Sequence, residues 1–123
     1  MRSLIEQLRG EHAVILKKLD HLEHLAQRGE GIDEFLRFFD EYVAARHYTA
    51  EEQQLLPLLR GNPHLKEIVK RLQEEHELER RLVEHLRHSA KPAAILRLCM
   101  QNLRWHVIKE NAIMLNSAEA ALS

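Results

Sequence analysis

Residues 65–88 read LKEIVKRLQEEHELERRLVEHLRH. Leu65, Ile68, Leu72, His76, Glu79 and Val83 follow one another at steps of three and four, the return period of a helix face and not the alternation of a strand. Most of the remaining positions are Glu, Lys, Arg and Leu, which lose little side-chain freedom in a helix. Gly61-Asn62-Pro63 precedes the run and Ser89-Ala90-Lys91-Pro92 follows it, both of them turn chemistry. The stretch predicts one long amphipathic helix. A histidine and a carboxylate stand on its apolar seam.

The same period continues on both sides. Leu8, His12, Ile15, Leu19 and Leu22 form a seam that ends before Gly29-Glu30-Gly31. Leu36, Phe39, Val43, His47 and Ala50 form a second, and Leu96, Cys99, Leu103, His106, Glu110 and Ile113 a fourth. Long helices joined by short loops must run antiparallel, so the expected fold is all-α, an up-down-up-down four-helix bundle in a single domain over residues 1–123. Pro63 and Pro92 fall where a first helical turn tolerates them. Pro57 falls inside the second helix and should kink it or end it early.

Composition narrows the class. A chain of 123 residues is long enough to bury one core, and Gly 4 plus Pro 3 supply too few turns for a sandwich or barrel. Charged residues at 30% and hydrophobic residues at 45% suit a globular, soluble protein rather than a disordered one. Lys+Arg 18 against Asp+Glu 19 leaves no basic footprint for nucleic acid. The single Cys99 excludes an intrachain disulfide and a Cys-rich zinc site. No apolar run approaches the roughly 18 residues of a membrane span, and MRSLIEQLRGEH is no secretory signal. The expected setting is cytoplasmic, without membrane or nucleic-acid partners. Nine histidines stand out, because His is the commonest metal ligand.

Four of the nine sit on seams, one per helix: His12, His47, His76 and His106. Glu110 shares the fourth seam, and Glu51 lies one turn after His47. Counting from the turns sets their levels. His12 lies 18 positions before Glu30 and His47 lies 17 after it. His76 lies 14 positions after Asn62, with Glu51 and His47 lying 11 and 15 before. From Ala90, His76 is 14 back, and His106 and Glu110 are 16 and 20 ahead. At about 1.5 Å rise per residue the six fall within one or two turns of a common layer. Buried polar groups need partners, so a polar slice through an apolar core calls for a shared purpose.

His-x-x-x-Glu occurs at His47/Glu51 and at His106/Glu110, and the spacing stacks both groups on one helix face. Each pair faces a lone His from another helix, giving four imidazoles and two carboxylates. Two imidazoles per metal with two carboxylates able to bridge leave coordination positions open. Mixed N/O ligation suits iron, and manganese or zinc less selectively. A metal-free hydrogen-bonded network is the bland alternative, and an awkward one for this set of groups.

The stretches EHAVILKKLDHL, RHYTAEEQQLLPLL, EEHELERRL and WHVIKENAIMLNSAEAAL make the chain resemble the hemerythrin-like, or HHE cation-binding, family over nearly its whole length. That resemblance implies an up-down bundle and a non-haem di-iron centre of two Fe ions. By position, the metal ligands it implies are His12, His47, Glu51, His76, His106 and Glu110. Oxygen-carrying hemerythrins have a further His where Arg80 stands, and end in His-x-x-x-x-Asp, where Asn111 occupies that offset. The chain is therefore more similar to the four-His, two-Glu members, which include iron–sulfur cluster repair proteins and iron or oxygen sensors.

The expected function is binding of dioxygen, nitric oxide or a related small ligand at a dimetal site, for sensing, storage or iron handling. A di-iron oxidase or peroxidase is the enzymatic rival. Carboxylate-rich sites of that kind use Glu-x-x-His, and the chain has none. A metal-free helical interaction module is the third reading. Elsewhere, His21, His24, His64, His85 and His88 read as solvated surface, as does Glu52. Glu79 reads as a hydrogen-bond acceptor for a ligand imidazole or a partner of Arg80. Cys99 reads as a buried inert thiol, and Tyr42, Tyr48 and Trp105 as packing. Phe35, Phe38, Phe39, Ile95 and Leu98 spread wider than one seam and leave a homodimer face open.

Overall fold

The computed structural model describes residues 2–122, and these form four helices without a strand. The first helix is Arg2–Gln27 and the second spans 32–60. A 3₁₀ turn at Pro63–Leu65 leads into the third, Lys66–Arg87, and the fourth spans 92–122. Each helix packs against the next and the fourth closes on the first, so the chain is an all-α four-helix bundle.

The first turn depends on its two glycines. Gly29 and Gly31 have φ of 73° and 97°, a region that a side chain disfavours. The Gly29 N–H donates to Ala26 O and the Glu30 N–H to Leu25 O. This paired capping satisfies helix-end carbonyls around a left-handed residue. At the second turn, Asn62 Oδ1 accepts from the His64 N–H at 2.9 Å, capping the 3₁₀ turn that leads into the third helix.

Three stretches are wound as π-helix: Phe39–Tyr48 and Glu51–Leu55 in the second helix, and Glu110–Leu115 in the fourth. An i→i+5 turn holds more residues than an α-turn, and such turns recur at functional sites. Winding of this kind keeps every fourth residue on one face, and Phe35, Phe39, Val43, His47, Glu51 and Leu55 are all buried. It also corrects two seam assignments. Phe35 replaces Leu36 in the core, and Met114 and Leu115 replace Ile113, which is exposed. Pro57 does not end the second helix, which continues to Arg60. The wide turn just before it makes room for a ring that would otherwise crowd the carbonyl four residues back.

The apolar core is in two pieces. Ile15, Leu19, Phe35, Val83, Leu96 and Leu103 belong to one, at the end that holds the first and third turns. Leu8, Leu55, Leu59, Leu72, Met114 and Leu115 belong to the other. Between them lies a slab of buried polar residues: Glu11, His12, His47, Glu51, His76, Glu79, His106 and Glu110.

Phe35 and Phe39 are spent on the chain's own core, Phe38 and Ile95 are half-buried against it, and Leu98 is exposed. Trp105, expected to pack, is instead 63% exposed. Cys99 is buried as expected, and burial, followed by the charge of Glu79, pushes its thiol up to about 11. His21, His64 and His85 are exposed like His88 and His24, all five standing outside the slab. No helix among the described residues is long and apolar enough to cross a membrane.

Candidate metal centre

The six seam residues singled out from the sequence meet in one cluster. His12, His47, Glu51 and Glu110 offer ligand atoms that all lie within 4.8 Å of one another. Glu51, His76, His106 and Glu110 do the same. The two groups share both carboxylates. His12 Nε2 stands 2.9 Å from Glu110 Oε1 and 3.6 Å from Glu51 Oε2. His47 Nε2 is 3.4 Å from Glu51 Oε2, His76 Nε2 is 3.0 Å from Glu51 Oε1, and His106 Nε2 is 3.1 Å from Glu110 Oε1.

All four rings point Nε2 inward and Nδ1 outward, and each Nδ1 meets an oxygen. His12 Nδ1 is 2.6 Å from Asn111 Oδ1, and His47 Nδ1 is 2.7 Å from Glu11 Oε1. His76 Nδ1 is 2.7 Å from Glu52 Oε2, and His106 Nδ1 is 3.3 Å from Glu75 Oε2. These four bonds form a ring around the bundle: the first helix supplies the acceptor for the second, the second for the third, the third for the fourth, and the fourth for the first. Each acceptor is the sequence neighbour of a cluster residue on its own helix. Glu11 and Glu75 precede His12 and His76, whereas Glu52 and Asn111 follow Glu51 and Glu110. Because alternate helices run in opposite directions, i−1 on two and i+1 on the other two lie on the same rotational side.

Three of these acceptors are held by a cation on their outer side. Arg46 Nε lies 3.4 Å from Glu11, Arg80 grips Glu52 through two bonds of 3.0 Å, and Lys109 bonds Glu75. Glu52 is thus not the freely solvated residue its sequence position suggested. The hydrogen bond from His76, against a smaller opposing effect of burial, and then the grip of Arg80 pull its carboxyl down to about 2.

An imidazole that donates through Nδ1 keeps a lone pair at Nε2. Here four such nitrogens converge on two carboxylates, which are acceptors only. His47 Nε2, His106 Nε2, Glu51 Oε2 and Glu110 Oε2 are buried without a hydrogen-bond partner. Positive charge must enter for the cluster to be satisfied. Protons are one source. Burial opposes charge on His12, but hydrogen bonds to Glu110 and Glu51 outweigh it and push the ring up to about 9. Burial likewise opposes charge on His47, and the charge of Glu51 with the hydrogen bond to Glu11 pushes it up to about 12. Burial also opposes ionisation of Glu51 and Glu110, yet the imidazoles hold both carboxyls below their ordinary range. A pair of metal cations supplies the same charge with better directional fit, and the donor set suits it: imidazole nitrogen and carboxylate oxygen in two sets of four.

Two further residues approach the cluster. Tyr48 stacks on His76 with ring centroids 3.8 Å apart and planes inclined by 18°, and its hydroxyl donates to Glu79. Glu79 therefore serves a phenol, neither a ligand imidazole nor Arg80. Burial raises its carboxyl to about 7. Access from outside is short on one side. A cavity of about 190 Å³ between the third and fourth helices, walled by Ile68, Leu72 and Met114, reaches Glu110.

Glu11, Glu75 and Asn111 escape a reading of the sequence by seams. The available signal is a polar residue flanking a seam ligand, one on every helix. Compared with known proteins, residues 3–118 match the family model described as Hemerythrin HHE cation binding domain. No curated protein and no solved structure matches the chain.

Proposed function

Since the chain belongs to the hemerythrin HHE cation-binding family, we propose that it holds two iron ions and binds a small ligand there, dioxygen or nitric oxide. The observation that carries this reading is the pair of four-atom groups that share Glu51 and Glu110. His12, His47, His76 and His106, with the shared carboxylates of Glu51 and Glu110, would hold the two ions. When bound, such a pair supplies open coordination positions and a change of oxidation state.

The chain's own residues do the rest. The Nδ1 acceptors fix each imidazole in the tautomer that presents Nε2, and an anionic acceptor raises the basicity of that nitrogen. The two apolar half-cores exclude water from above and below. The cavity beside Glu110 gives a small molecule a route in. A site richer in imidazole than in carboxylate supports reversible binding, for sensing, storage or iron handling, more than oxidase turnover. A cytoplasmic setting goes with this reading.

Metal content per chain after production with iron, followed by visible spectra taken first without air and then with it, tests the proposal. Close to two irons and a charge-transfer band on oxidation are expected. A cooperatively folded protein that takes up no metal would overturn it.

A further inference from the structure

Tyr48 and Glu79 are the buried polar pair that metal binding leaves unused. Tyr48 is fully buried, and Glu79 is 2% exposed with Oε1 lacking any partner. The phenol ring lies flat against His76, and the Arg80 guanidinium stands 5.2 Å from its centroid. On the far side Glu79 meets Phe35, Phe39, Val83, Cys99 and Leu103 around a space too small for water. A tyrosine whose only duty is packing needs no carboxylate, and a buried carboxylate without a duty is costly.

The arrangement unites three things that one-electron oxidation of a phenol requires. Ring contact with His76 is a short path for the electron. The hydrogen bond to Glu79 gives the phenolic proton somewhere to go at the same moment. Enclosure keeps water and solutes from the product. We propose that Tyr48 is a redox-active residue that gives one electron to the dimetal centre when that centre meets hydrogen peroxide, with Glu79 accepting the phenolic proton. The inference rests on the di-iron reading. Hydrogen peroxide takes two electrons and two protons to become two waters. One electron comes from an iron(II), which becomes iron(III), and the other from Tyr48, whose O–H bond is broken. The phenol's proton stays on Glu79, whose other oxygen faces apolar side chains, and the two protons the peroxide takes up come from solvent. The balance gives the site a means of consuming a peroxide one iron electron at a time, without drawing on its imidazoles.

The test is electron paramagnetic resonance of iron-loaded, reduced protein mixed with hydrogen peroxide above the pH at which Glu79 ionises and frozen within seconds, with iron assayed on the same samples. A tyrosyl signal is expected, narrowed in protein made with ring-deuterated tyrosine, a comparison that needs no substitution. The chain has two tyrosines. Tyr42, which stacks on Phe38, serves as the control: Tyr42→Phe keeps the signal and Tyr48→Phe abolishes it. Glu79→Gln lowers the yield at least about tenfold, because the proton acceptor is gone. Protein with two irons that peroxide oxidises without a tyrosyl signal would overturn the inference and leave the di-iron reading standing. A signal that survives Tyr48→Phe would overturn it too. Protein without iron would overturn both.

Discussion

Glu79→Gln in the metal-free protein isolates the energetic consequence of burying a carboxylate between two apolar surfaces. The folded group sits at about 7, raised chiefly by burial, and the unfolded group near an ordinary 4.5. A raised carboxyl means that the folded chain holds its proton over a range where the unfolded chain has lost it. Stability is therefore lost as pH rises from about 4.5 to about 7 and is flat beyond. At pH 5.5 the two values imply a loss of about 1 kcal/mol, and at pH 8.5 about 3 kcal/mol, a change of about 2 kcal/mol. Glutamine accepts the Tyr48 hydroxyl equally well and does not titrate. Imidazole titrations are common to both chains except where the Glu79 charge bears on them, chiefly at His106. With about 2.1 cal/mol/K per residue of unfolding entropy, 2 kcal/mol corresponds to about 8 °C. Thermal melts followed by far-UV circular dichroism, in a chelator, should show the wild type losing about 8 °C relative to Glu79→Gln between these two pH values. A difference in Tm that does not move with pH would refute the reasoning. It would mean that the Tyr48 hydroxyl stabilises the anion as much as burial opposes it.

Glu52→Ala removes the acceptor that fixes His76, and metal affinity should fall by about 10–100-fold, measured by competition with a chromogenic chelator. Replacing His47 and Glu110 together by Leu should abolish metal uptake, read as metal content per folded chain. Retention of two equivalents by that variant would sink the ligand assignment. Gly31→Ala places a side chain at φ 97°, 3.0 Å from Leu25 Cβ, and should cost about 1–3 kcal/mol by denaturant titration, the usual range for a left-handed non-glycine residue.

The helices and their polar slab were legible because both rest on local spacing. Steps of three and four give the elements, and counting from Glu30, Asn62 and Ala90 gives the level. The winding was not legible. A π-turn differs from an α-turn by one residue, so Leu36 and Ile113 looked as good as Phe35 and Met114. The buried run Phe35, Phe39, Val43, His47, Glu51, Leu55, each four apart, was the trace it left. The outer acceptors were hidden for another reason. Glu11 serves His47 and Glu75 serves His106, contacts between helices that no spacing within one helix reports. Glu79 was ambiguous because its partner, the Tyr48 hydroxyl, lies 31 residues away in sequence.

The circuit of Nδ1 bonds takes its pairing from the way the bundle is wound. An up-down-up-down bundle has two mirror-related arrangements: seen from one end, the chain turns either clockwise or anticlockwise. Apolar seams fit both, since Leu and Val carry no sense of direction. Glu11, Glu52, Glu75 and Asn111 do carry one, because every acceptor lies on the same rotational side of its helix. Wound the other way, each would face the imidazole of the other neighbouring helix: Glu11 would meet His106 instead of His47, Glu52 His12 instead of His76, Glu75 His47 instead of His106, and Asn111 His76 instead of His12. The handedness of the bundle therefore decides which imidazole receives the one neutral acceptor, Asn111, and here that is His12.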